Sequence, residues 1–494
     1  MRFLLLCLIL CITIHSVVSQ GKFSTCNSMH TTPKIARAAC TASCIVQNCP
    51  SGNCVVSRGR KTCVCSRCVA MAHWFHRNPM KPTEQVKFEL KRMLTSEASG
   101  KICGELRLRR EKLLQLFRNA GNDLAEVDKE FNEYLRLFAG FLVDIGASGA
   151  GDDPSKKNSK LVPVLRYQWG HSMLGTASTE LSDSWFEALN IIECMAMWLS
   201  KHAAWVAGKD EVREFEAKEC LSCLRRSAGM FAFVGSNIGR LSGTGDIEGA
   251  DFDSKVVRAY EMQAIAESQE VVVARAIEMK HNPALISSLA AHTASLFAKA
   301  GEQLTTFKDE VFGRWKRYLQ LKQHFYLAYG YAFLGEALLK EDKCGEAVRA
   351  CKEGVAEFEI AKDFASKYST ATGPGTRIKP EEHLFFRRIK PLLLRHLEKA
   401  ERENGFIYHQ QVPDECPKLE SDPNYGVAKP EPFEYPTPAE IWTPAVYASF
   451  NLSKVSMPDF SKIFKGKKEL KVVDEEKIYQ TEKDPNNFSG CVIS

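Results

Sequence analysis

The sequence predicts an all-α protein: a large helical domain over residues 71–450, preceded by a small disulfide-rich αβ segment and followed by a flexible tail, 451–494. Three observations carry this. Windows with apolar residues three and four apart fill most of the chain after residue 70. Cysteine and charge change character at the same point: residues 1–70 hold ten of the eighteen cysteines and eight Lys or Arg with no Asp or Glu, while residues 71–494 hold 58 basic and 60 acidic side chains. Proline then displaces helical spacing beyond residue 409. With 45% hydrophobic and 26% charged residues, neither wholesale disorder nor a multi-pass membrane protein is indicated.

Residues 1–19 read as a secretory signal: Arg2, an apolar run from Phe3 to Ile14, then Val17-Val18-Ser19 before Gln20. Behind it stand Cys26, Cys40, Cys44, Cys49, Cys54, Cys63, Cys65 and Cys68, an even set that forms a disulfide framework if the segment is secreted. Cys40 and Cys44 share one helix face and Cys63 and Cys65 one strand face. Bridges between those pairs would staple a helix onto a sheet in a segment whose core is too small to hold it folded. Zinc is the alternative, since Cys-x-Cys and Cys-x2-Cys also suit metal; a signal peptide in front favours disulfides. The pattern, with Gly52 before Cys54, resembles the cysteine-stabilised αβ defensins of the invertebrate antibacterial-factor branch. That resemblance implies a cationic peptide directed at anionic microbial membranes, with Lys22, Lys34, Arg37, Arg58, Arg60, Lys61 and Arg67 as its basic surface.

From Met71 the texture becomes helical. Apolar residues at 131, 134, 135, 138, 141 and 142 trace one face of an amphipathic helix, and similar windows run over 185–206, 211–233, 254–280, 285–307, 311–339, 343–367 and 380–404. Short breakers such as Ala207-Gly208-Lys209 and His281-Asn282-Pro283 favour antiparallel neighbours. Residues 325–340 and 345–368 read as one helical hairpin in which Gly345 and Ala347 permit close approach. No strict period recurs, so the expectation is an irregular solenoid.

The blocks Ala72-His73-Trp74-Phe75-His76-Arg77-Asn78-Pro79, Ala266-Glu267-Ser268-Gln269-Glu270-Val271, Asp342-Lys343-Cys344-Gly345-Glu346-Ala347, Glu403-Asn404-Gly405-Phe406-Ile407-Tyr408 and Asn424-Tyr425-Gly426, in this order, resemble the BRO1 domain over residues 71–494. The resemblance implies a banana-shaped helical fold around a solenoid core, and capture of the C-terminal amphipathic helix of an ESCRT-III subunit. A groove for such a helix needs apolar side chains exposed at helical spacing. Phe231, Val234, Ile238 and Leu241 have that spacing, with Met230 at the rim; Gly235 and Gly239 weaken the window as a regular helix.

No catalytic constellation is legible: there is no Gly-x-Gly-x-x-Gly after a strand, no Walker loop, no His-Glu-x-x-His and no Gly-x-Ser-x-Gly. Cys220 and Cys223 have metal-like spacing but no second pair or histidine nearby, and read as buried thiols. No cofactor or nucleic-acid partner is expected. The proline-rich stretch 409–460, with Tyr425, Phe433, Tyr435 and Trp442 between its prolines, reads as an extended strap along the domain. After it come Lys462, Lys465, Lys467, Lys468 and Lys471 and the terminal Cys491-Val492-Ile493-Ser494, a prenylation signal whose Ser end favours farnesyl on Cys491. One lipid anchors only marginally, so the basic cluster would supply a second membrane signal, blunted by Asp474-Glu475-Glu476. The expected location is cytoplasmic and peripheral to membranes, and secreted only if the N-terminal signal is genuine. A secretory signal and a cytosolic lipidation site demand different compartments, so the sequence reads as two neighbouring coding units joined.

Overall fold

The computed structural model describes residues 51–57, 60–66, 73–90, 93–145, 158–209, 212–241, 247–387 and 389–452. The signal peptide, Cys26, Cys40, Cys44, Cys49, Cys68 and Cys491 therefore lie outside the described residues. Two compact units divide the chain, with the main break at Ala72/His73. In the first, β1 (Ser51–Ser57) pairs antiparallel with β2 (Arg60–Ser66), with Cys54 opposite Cys63 and Gly52 opposite Cys65. Cys63 and Cys65 thus lie in one strand, as their spacing predicts.

The second unit is helical, as expected. Its helices are α1 (Glu97–Leu116), α2 (Leu124–Phe138), α3 (Ser184–Ala207), α4 (Glu214–Asn237), α5 (Ser254–Glu278), α6 (Pro283–Gln303), α7 (Asp309–Lys340), α8 (Cys344–Thr370), α9 (Ile389–Glu403) and the short α10 (Pro444–Ala448). A small antiparallel pair, β3 (Tyr167–Gly170) and β4 (Ser178–Leu181), precedes α3. Helix starts are set by side-chain caps: Ser96 accepts from Ser99 N, Asp123 from Glu126 N, and Asn282, followed by Pro283, from Ala284 N. Consecutive helices from α3 to α8 pack against one another in chain order, the layout of a solenoid. The expected window 380–404 is broken into a 3-10 turn, a single turn Leu384–Arg387, and α9.

The hairpin of α7 and α8 forms as expected, with one correction. Close approach is supplied by Gly335, where a Cβ would overlap Cys351 Sγ, and by Gly354, where it would lie 3.1 Å from Ala328 O. Gly345 instead faces the chain after α9, where its Cβ would lie 3.0 Å from the Gln411 carbonyl carbon.

Two extended segments lie on different faces of α5. Residues 73–83 run through the interior, with Trp74, Phe75, His76, Arg77, Asn78 and Lys81 all buried, and residues 84–90 continue along the surface with Glu84, Gln85, Lys87 and Glu89 exposed. Their cations meet carboxylates from distant helices: Arg77 Nη2 lies 2.7 Å from Glu267, and Lys81 Nζ 2.5 Å from Glu193 and 3.5 Å from Asp251. Lys322 of α7 meets Glu270 at 2.8 Å, and Arg110 of α1 meets Glu187 at 2.6 Å. Removing one partner of such a pair leaves an uncompensated buried charge and costs about 3–5 kcal/mol. Burial pushes the Glu193 carboxyl up to about 8, against the opposing pull of Lys81. Burial likewise lowers His76 to about 3. Its ring lies between Tyr368 Oη at 3.0 Å and Asn78 Oδ1 at 2.9 Å.

The second segment is the strap, which packs along the domain as its prolines and aromatics suggested. Gln269 of α5 donates to Gly426 O (2.9 Å) and accepts from Ala428 N (2.7 Å). Arg225 of α4 donates to Lys429 O (2.8 Å), and Glu431 N donates to Arg225 O (3.0 Å). Phe433 inserts edge-on to Phe233 (5.0 Å) beside Phe131 (6.1 Å). Tyr435 donates to Leu135 O, and Trp442 Nε1 to Leu137 O (2.7 Å) over Gly140. The strap ends at Phe450, bridged to Leu94.

Candidate functional site

A helix-binding surface needs apolar side chains left in water at helical spacing. The residues expected to form it are placed elsewhere. Met230, Phe231 and Val234 lie in α4 and are buried, at 3%, 1% and 0% exposure, and Leu241 is buried at 9%. Ile238 is half-buried, in a 3-10 turn (Ile238–Arg240) that ends α4 after Gly235. Phe231 stacks on Tyr260 of α5 with ring centroids 4.9 Å apart. This stripe is core, because the face of α4 that carries it is turned onto α5 and residues 76–77.

Around Phe231 is a cavity of about 20 Å³, bordered by His76, Arg77, Lys201, Tyr260 and Glu267. It has room for about one water and is far below the several hundred Å³ of a small-molecule site. Cys220 and Cys223 are buried free thiols, the latter pushed up to about 12 by burial. Among the described residues no group of His, Cys, Asp or Glu is arranged to hold a metal, and no helix is long and apolar enough to cross a membrane.

Apolar side chains are exposed instead on the open ends of α4 and α5. Arg275 in the last turn of α5 lies 3.8 Å from Glu214 in the first turn of α4, which brings these ends together. There Phe215 is 58% and Met279 56% exposed. Val272, half-buried, lies seven residues before Met279 on the same side of α5. The strap borders this face: Gly426, in the left-handed region at φ +81°, lets the backbone pass Val272 and Leu289, and its neighbour Tyr425 is 63% exposed. Glu214–Lys218 (3.3 Å) and Arg275–Glu278 (3.4 Å) supply a charged rim. This end of the unit thus exposes Phe215, Met279 and Tyr425, from α4, the end of α5 and the strap, with Val272 half-buried beside Gly426. Sequence reasoning missed it because Phe215 stands between two glutamates and Met279 at a helix end, where neither completes a periodic window.

Comparison with known proteins gives this surface its context. A family model described as BRO1-like domain matches residues 156–485, and one described as nematode antimicrobial peptide matches residues 25–73. The BRO1 domain-containing protein BROX homolog of Caenorhabditis elegans is 66% identical over 427 residues, covering 86% of this chain and 100% of that protein. BRO1 domain-containing protein BROX of Homo sapiens is 39% identical over 385 residues, 78% of this chain and 92% of that one. Two solved structures share the fold. One, titled "Structure basis for endosomal targeting by the Bro1 domain", has TM-score 0.55 and 19% identity over 74% of this chain and 93% of its own. The other, "ALIX BRO1 CHMP4C complex", has TM-score 0.53 and 18% identity over 75% and 99%.

Proposed function

The chain belongs to the BRO1-domain family, and from that premise we propose that it is a non-enzymatic adaptor whose helical domain captures the C-terminal amphipathic helix of an ESCRT-III subunit. The observation that carries the reading is the exposure of Phe215, Met279 and Tyr425 on α4, at the end of α5 and in the strap, apolar side chains left in water of the kind an amphipathic helix covers. A protein of related fold, an ALIX BRO1 domain, is solved as a complex with CHMP4C, which supports a protein partner of that class for this chain. Farnesyl on Cys491, helped by Lys462 to Lys471, would hold the adaptor on cytoplasmic membranes and raise its local concentration where membrane-remodelling filaments assemble.

Titration of the full chain with synthetic ESCRT-III C-terminal helices tests the reading. Phe215→Asp and Met279→Asp should each weaken binding at least tenfold, since anchor side chains at such faces contribute more than about 1 kcal/mol. Unchanged affinity in both variants would remove this surface, and a parent chain that binds none of the helices would remove the function. A farnesyl mass on the C-terminal peptide, absent from Cys491→Ser, tests the anchor.

A second reading rests on a different observation, the antimicrobial-peptide match over residues 25–73 with eight basic and no acidic side chains in residues 1–70. Residues 20–70 would then act as a separate secreted cationic peptide. The Caenorhabditis relative is matched over its whole length by 86% of this chain, which favours separation near Met71. A translated peptide spanning residues 65–75, sought by mass spectrometry, would argue for one continuous product.

A further inference from the structure

The most exposed large apolar side chains among the described residues are Phe406, at 81%, and Ile407, at 67%. They stand on a π-turn, Asn404–Tyr408, that ends α9. Such turns interrupt helices often at functional sites. This one is fixed at its base. His409, at φ +51°, donates from its backbone N to Asn404 O (2.7 Å). Asn404 accepts from Gln410 N (2.9 Å) and donates to Gln410 O (3.0 Å). Tyr408 Oη donates to Asp342 (2.5 Å), and Gln410 Nε2 to Asp342 O (2.6 Å), which ties the turn to the α7–α8 connection. The protein therefore holds two apolar side chains in water on a rigid base.

We propose that Phe406 and Ile407 form a wedge that enters the interfacial layer of a lipid bilayer. Two features favour a bilayer over a protein. The pair projects from a turn rather than lining a groove, so its own area is far short of the roughly 1,200 Å² of a stable protein interface; a fluid acceptor needs no matching pocket. Four ion pairs also neutralise much of the charged rim, Glu341 with Lys343, Glu336 with Lys340, Glu403 with Lys399 and Glu401 with Lys352, and the Asp342 carboxylate at the base is engaged by the Tyr408 hydroxyl. Residues 404–413 contain no acidic side chain to repel a headgroup. Insertion should accordingly depend less on salt and on the fraction of anionic lipid than attraction through the lysines of the tail does. The choice of a membrane as acceptor rests on the proposed recruitment by the C-terminal lipid, so the test removes that lipid.

Full-length Cys491→Ser protein is mixed with phosphatidylcholine vesicles, with and without bromine on the acyl chains. Phe406→Trp adds one exposed indole to a chain whose Trp74, Trp169, Trp185, Trp198, Trp315 and Trp442 are buried; the parent gives the background, half-buried Trp205 included. Emission added by Phe406→Trp should shift blue and be quenched at least twofold by brominated vesicles. Phe406→Ser with Ile407→Ser should cut flotation with vesicles at least tenfold, with an unchanged melting temperature because both sites are exposed. Unquenched emission, or flotation equal to the parent, overturns the wedge. So does self-association abolished by the serine pair without vesicle binding, which would assign the tip to a second copy of this chain. Failure here leaves the lipid anchor standing, since Cys491 is absent throughout.

Discussion

Replacing Gly229 by Ala should lift the strap while leaving the helical domain folded. Gly229 lies buried in α4 beneath the strap, and a Cβ there would lie 2.7 Å from the Glu431 carbonyl carbon and overlap its oxygen. Backbone cannot rotate aside as a flexible side chain can, so residues 429–431 must move. Overpacking of this kind costs about 1–3 kcal/mol. The movement also strains Glu431 N to Arg225 O and Arg225 Nε to Lys429 O, each contributing about 0.5–1.5 kcal/mol. Against this, Ala in place of Gly inside a helix returns about 1 kcal/mol to α4. Global stability should fall by roughly 1–5 kcal/mol, while opening of the strap becomes easier by about 1–3 kcal/mol, or roughly 5- to 150-fold faster amide exchange. Hydrogen exchange read by mass spectrometry on peptides covering 425–434, with 184–207 as an internal control, resolves the two. Undiminished protection at 425–434 in a folded variant would refute the claim that Gly229 seats the strap.

The same substitution should have the opposite sign at Gly104 of α1, where nothing lies within 4 Å of the added Cβ; Gly104→Ala should raise stability by about 0.5–1 kcal/mol, measured by urea unfolding. Lys322→Met should cost about 3–5 kcal/mol in the same assay, because Glu270 is left charged in a dry interior. For pH, two buried groups oppose each other. His76, lowered to about 3, binds its proton more weakly folded than unfolded, so its contribution is full above about 6.5 and is lost as pH falls towards 3. Glu193, raised to about 8, contributes fully below about 4.5 and loses that contribution as pH rises to 8. Near pH 4.5–6.5 the slopes cancel, and Glu193→Gln should expose the His76 limb there as a rise of up to about 1.4 kcal/mol per pH unit; a flat profile in that variant would count against the His76 assignment, and a profile equally steep in the parent against that of Glu193.

Which parts of this architecture the sequence carried follows from the range of the forces involved. Helices α4, α6 and α8 were legible because burial of one face writes a local period into the chain, whereas α3, buried nearly all round, and α5, buried without a break from Gln263 to Val271, were legible as long windows between breakers. Helix α1 was not: it turns Ile102, Leu106 and Leu113 inward, but the buried position between them is Arg110, whose partner Glu187 is far away in sequence. Glu193, Glu267 and Glu270 are the same case, each read as an ordinary polar position until a remote cation is brought to it. The docking stripe failed for a related reason. A stripe that packs in the core and one that waits for a partner have identical spacing, and for α4 the choice is made by Tyr260 on one face and by a strap some 200 residues later on the other. The strap itself was legible, since proline forbids a helix and Phe433, Tyr435 and Trp442 between the prolines pack on the core, although Tyr425 stays exposed.

The strap also bears on where the proposed tip and the proposed lipid would act. It begins beside the Phe406–Ile407 tip and ends where Asn451 N donates to Met93 O (2.9 Å). The chain to Cys491 starts from that far end, and about 39 residues at roughly 3.3 Å each bound its reach at about 130 Å. A farnesyl carried by Cys491, if both proposals hold, would reach the same bilayer as the tip, and each insertion would become the intramolecular consequence of the other. Coupled elements of this kind do not add independently. Removing either should leave only a weak single contact, and removing the second should cost much less than it does from the intact chain. Membrane fractionation of prenylated parent, Cys491→Ser, the Phe406→Ser/Ile407→Ser pair and the combination measures this directly. If the two losses multiply through to the combined variant, tip and lipid act on separate surfaces, and the domain is not held to one membrane from both ends of its strap.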